Sequence, residues 1–204
     1  MKLLKLTTMV SAAALGLCSA SGANALTINL INTGGVEVGT DAYFGFMVAA
    51  KYWESVITTD ATLNFRVGFT TSGFSSPTVL GQASSASGAK TQVAWRNALT
   101  TSATSALDDS VVANLPTMGA TNVRLNNTVQ KALGLYTGNA NTVDATITFN
   151  AARAFDFDTR DGFDTSNPAS DFVSVAVHEM GHALGFTSAV GQNTTNNSTP
   201  SNTD

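Results

Sequence analysis

The sequence predicts an α+β domain. Three observations carry that prediction. "TLNFRVGF" (62–69) and "DATITFN" (144–150) alternate apolar and polar residues with the period of two that a half-buried strand requires. "DAYFGFMVAAKYWESVIT" (41–58) repeats its apolar residues at three-to-four spacing, the period of a helix with one buried face. Strand-like and helix-like stretches are also interspersed along the chain, which favours mixed layers over a β-sandwich.

Taken in order, "LTINLIN" (26–32) alternates and reads as the first strand. In 41–58 the residues Phe46, Ala49, Ala50, Trp53 and Ile57 share a helix face, with Thr40 or Asp41 as the cap. Leu63, Phe65, Val67 and Phe69 then occupy one side of the clearest strand. A Gly/Ser-rich passage follows from Thr70 to Ala89, with a short strand at "TVLGQ". "QVAWRNALT" and "DDSVVANLP" are expected helices, the second stopped before Pro116, where proline cannot continue the hydrogen-bond ladder. "NNTVQKALG" is a further short helix ended by Gly134. In "DATITFN", Ile147 and Phe149 face one way and Thr146 and Thr148 the other. "FVSVAV" leads into the last helix, for which Asn167 with Pro168, Ser170 or Asp171 offers a start and Gly185 a stop. Being apolar on nearly every side, it predicts a buried helix.

Composition narrows the function classes. Residues 1–25 have a positive start ("MKLLK"), a short apolar run and the small-residue pattern "ANA", which together read as a cleaved export signal. The single cysteine, Cys18, lies inside that segment, so the exported chain forms no disulfide. Lys2 and Lys5 leave with it, and the remainder is more acidic than the whole chain, whose net charge is −4. No basic patch recommends a nucleic-acid partner, and no later stretch is apolar enough to span a bilayer. The expected organisation is a leader at 1–25, one domain at 26–190, and a linker at 191–204. The closing "QNTTNNSTPSNTD" has no apolar residue to bury.

The chemistry concentrates in "VAVHEMGHALGF" (175–186), which holds both histidines of the chain, His178 and His182, with Glu179 between them. Positions four apart on a helix lie about 40° from register and about 6 Å apart along the axis, so two imidazoles can converge on one ion. Glu179 points to one side of the pair, where it reaches a water rather than the metal and can serve as general base. Random scattering of two histidines and three glutamates would produce this arrangement about twice in ten thousand sequences, so two unrelated core histidines are the weaker account.

On these residues "HEMGHALGF" resembles the zincin metallopeptidases, and its H-E-x-x-H-x-x-G run is similar to the metzincin branch, most of all to secreted matrixin-like bacterial proteases. The specific match spans Asp171 to Phe186. The resemblance implies a mixed twisted sheet with an active-site helix, Zn²⁺ held by His178 and His182, and Glu179 as general base. It also implies a sharp backbone turn at Gly185, and a protein or peptide substrate paired to a sheet edge at "DATITFN". The implied activity is that of a secreted zinc-dependent endopeptidase. The alternative is a non-catalytic exported surface or matrix module with a degenerate fold of the same kind.

The sequence departs from that pattern at the third ligand. The metzincin position is Ser188, whose hydroxyl stays protonated and binds zinc poorly. Asp171 lies about 10 Å along the axis from His178 and reads as a cap. Asp204 sits on a linker unsuited to rigid support. The expectation is a ligand beyond residue 204, in a domain cut short at its C-terminus. Asp156, Asp158, Asp161 and Asp164 surround Gly162 and offer oxygen ligands for Ca²⁺, although their spacing is not that of an EF-hand loop and a solvated turn at Asp161-Gly162 is favoured. Tyr43, Tyr52 and Tyr136 are the candidates for an oxyanion donor.

Overall fold

A computed structural model of the chain describes residues 26–115, 121–158 and 168–187. The leader at 1–25, Pro116, the aspartates 161 and 164 with Gly162, Asn167, Ser188, the 191–204 segment and Asp204 all lie outside them.

The architecture is α+β with a mixed sheet. Strands β1 (Thr27–Asn32), β2 (Thr62–Thr70), β3 (Gly81–Ser85) and β6 (Ala145–Asn150) form one four-stranded sheet in the order β1-β2-β6-β3. The first three of these positions run parallel, and β3 closes the sheet antiparallel to β6. The antiparallel pair β4 (Ser87–Thr91) and β5 (Asn122–Asn126) forms a second sheet, and β7 (Phe155–Asp156) pairs β8 (Ser170–Asp171) in a third. Helices α1 (Asp41–Val56), α2 (Gln92–Ser102), α3 (Ala106–Ala113), α4 (Asn127–Ala132) and α5 (Phe172–Leu184) complete the described chain. Among the described residues no helix is long and apolar enough to cross a membrane.

The main sheet carries α1 and α5 on one face. Leu63, Phe65 and Val67 of β2 with Ile147 and Phe149 of β6 meet Phe46, Ala49 and Ala50 of α1 and Phe172, Ala176 and Met180 of α5 in one buried core. The opposite face shows Asn29, Arg66, Gln82 and Ser84 to solvent, the polar-out alternation of a sheet covered on one side. Phe172 centres the core, with ring centroids 5.1 Å from Phe46, 4.7 Å from Phe149 and 4.7 Å from Phe157. Each such ring contributes about 1.5–3 kcal/mol by leaving water.

Three expectations need correction. "DATITFN" is a strand, but β6 is central, paired on both sides, and the edge belongs to β3. The short strand expected at "TVLGQ" begins later, at Gly81, and β4 starts within the Gly/Ser passage and pairs with β5, neither of which was expected. The last helix is buried on one side only: Phe172, Ala176, Met180 and Ala183 face the core while Ser174 and His178 are exposed. Its valines supply the half-buried flanks.

Candidate metal centre

The helix that bears the histidines is fixed at both ends by local chemistry. Asp171 caps its start, accepting a hydrogen bond from Ser174 N. At the other end Gly185 takes φ 111°, a left-handed conformation costly for residues with a Cβ. Two backbone bonds close that turn, Gly185 N to His182 O at 3.1 Å and Phe186 N to Gly181 O at 3.0 Å. This is the paired pattern of a Schellman ending.

The two imidazoles face one another. Their centroids are 4.6 Å apart with the rings nearly perpendicular, and the Nε2 atoms approach to 3.1 Å. Two nitrogens bound at 2.0–2.1 Å to one tetrahedral ion would lie about 3.3 Å apart, so the spacing fits a shared cation with little adjustment. The Nδ1 of His182 lies 2.9 Å from the Phe186 carbonyl oxygen. A carbonyl only accepts, so Nδ1 carries the proton and Nε2 presents its lone pair. Zinc-binding histidines take the same support from their second nitrogen.

Glu179 is placed differently. Its side chain is buried and lies against Gly81 of the edge strand, where an added Cβ would come within 3.2 Å of Glu179 Cγ. Burial pushes its carboxyl above the ordinary glutamate range, while positive charge on His178 and His182 would draw it down. Among the described residues no three ligand-type side chains gather round one point. Two imidazole nitrogens converge, and Glu179 lines the cavity beside them. A cavity of about 380 Å³ lined by Leu80, Gly81, Ser174, Val175, His178 and Glu179 opens on one side. Another of about 320 Å³, bounded by Tyr52, Trp53, Val177, Gly181 and Phe186, opens on the histidines' other side.

The remaining candidates separate. Asp171 is a cap, at the far end of α5 from His182. Tyr52 borders the second cavity, whereas Tyr136 lies over Lys131 and Tyr43 packs against the core. Asp158 N donates to Asp156 Oδ1 at 2.9 Å, a local turn contact. Sequence reasoning did not reach Gly81, the Phe186 carbonyl or Trp53. Gly81 falls in "TVLGQ", a stretch read only as a short strand, and the other two act through the backbone or from a different helix.

Comparison with protein-family models, with curated proteins and with solved structures finds no match to this chain.

Proposed function

We propose that the chain is an exported zinc-dependent endopeptidase of the zincin type. The observation that carries the reading is the convergence of His178 Nε2 and His182 Nε2 at 3.1 Å, with His182 Nδ1 anchored on the Phe186 carbonyl. His178 and His182 would hold the ion, and a third protein ligand, which catalytic zinc sites use, would come from outside the described residues. Zinc bound there supplies Lewis acidity, lowering the pKa of water and polarising a carbonyl.

The chain's own residues do the rest. The outer edge of β3 is unpaired among the described strands, so an extended peptide can add to it by backbone hydrogen bonds. Gly81 of that strand lies against Glu179, which brings the peptide backbone and the carboxylate together. Glu179 takes the proton of the attacking water and delivers it to the leaving nitrogen. Its raised pKa suits it to hold that proton between the two transfers. Among the described residues that line the cavities beside His178 there is no lysine or arginine, so an acidic side chain flanking the cleaved bond would meet no counter-charge there.

Glu179→Gln tests the reading. The variant is expected to retain zinc, measured by metal stoichiometry after dialysis, and to lose about 10²–10⁴ in peptidase rate, the usual contribution of a general base. Undiminished peptide hydrolysis by that variant, or a wild-type protein that takes up no zinc at micromolar free metal, overturns it. The second result favours the non-catalytic exported module.

A further inference from the structure

The mechanism leaves unused one side chain that touches the histidine-bearing turn on several sides. Trp53 is half-buried near the end of α1. Its indole N–H donates to the Val177 carbonyl at 3.0 Å, one residue before His178. Its ring lies so close to Gly181 that an added Cβ there would be 3.2 Å from Trp53 Cζ2. The ring also stacks on Phe186, with centroids 5.3 Å apart and planes inclined by 24°. Phe186 is the residue whose carbonyl oxygen receives His182 Nδ1–H.

We infer that Trp53 is a positioning residue: by clamping Val177, Gly181 and Phe186 it holds the Phe186 carbonyl where it selects the tautomer of His182 and aims Nε2 at His178. Phe186 needs such a clamp. It follows the left-handed Gly185 and is 62% exposed, so the Trp53 ring is the aromatic surface on which it rests. The carbonyl matters because a neutral imidazole free in water exchanges its proton between both nitrogens, and only the Nδ1–H form offers Nε2 as a ligand. Gly181 belongs to the same device, since a larger residue there would push the indole away. The consequence for metal rests on the zinc-site reading, but the tautomer is a property of the metal-free protein.

Nitrogen-15 NMR of the two histidines in the full-length, zinc-free protein, recorded above their titration range, tests the inference. Wild type should show His182 in the Nδ1–H form. Trp53→Leu, which removes both the stack and the N–H, should return His182 to a mixture of tautomers. Trp53→Phe, which keeps a ring but not the donor, should fall between. Zinc affinity, read by competition with a chromogenic chelator, should drop by about 10–100-fold in Trp53→Leu, as when other supports of a ligating histidine are lost. A folded Trp53→Leu with wild-type tautomer and wild-type affinity overturns the brace. If that variant fails to fold, Phe186→Ala decides, because it keeps the carbonyl and loses only the stack: a retained pure Nδ1–H form is then the overturning result. Should wild type bind no zinc, the site reading fails while the tautomer comparison still judges the brace.

Discussion

At the scale of single residues, Glu179 shows what burying a carboxyl does to stability. Burial raises its pKa above the ordinary value of 4.5. Below that value both folded and unfolded chains hold the proton, and the carboxyl is neutral to folding. As pH rises the unfolded chain ionises first, so stability falls until the folded-state pKa is passed, and the deficit stays in full above it. Glu179→Gln cannot ionise. In the metal-free protein its melting temperature should equal wild type near pH 4 and exceed it near pH 7, a gap measurable by circular dichroism. Equal melting at both pH values would mean that the carboxylate is well solvated. His178, Glu179, His182, Asp171 and Gly185 were legible in the sequence because helical pitch and end-capping act within one or two turns. Trp53 was not, because its hydrogen bond to Val177 joins residues 124 apart.

At the scale of elements, the α1–α5 contact decides where the histidines sit. Gly45 lies opposite Phe172, and a Cβ at Gly45 would collide with that ring. Alanine is worth about 1 kcal/mol over glycine in a helix interior, yet overpacking a core costs about 1–3 kcal/mol. Gly45→Ala should therefore lower stability in urea titration, and an unchanged or raised midpoint would mean that the helices do not pack through this position. The strands tell a mixed story. β1, β2 and β6 were legible from alternating large residues. β3 ("GQASS") has no branched or aromatic side chain and β4 ("SGAKT") only Thr91, so pairing with β6 and β5 defines them. The place of β6 within the sheet was misjudged because strand order is a long-range property that no local pattern encodes.

At the scale of the molecule, a buried ion pair ties α4 to the strands of the main sheet. Lys131 Nζ lies 2.7 Å from Asp144 Oδ2 and also donates to the carbonyls of Thr62 and Ala140. The same carboxylate oxygen receives Asn64 N at 2.8 Å, tying α4, β2 and the approach to β6 together. Lys131→Met should cost about 3–5 kcal/mol by stranding a buried carboxylate, read as a shift of the denaturant midpoint. A loss below about 1 kcal/mol would place the pair among weak surface bridges. The α+β class was readable from interleaved periodicities, whereas this clasp joins charges that sequence alone had no reason to associate. The interior is meanwhile a nucleus of phenylalanines that includes no imidazole, and His178 stands at its rim. A cation held there, as proposed, would meet a core packed without it, so stripping the ion with a chelator should leave the fold intact.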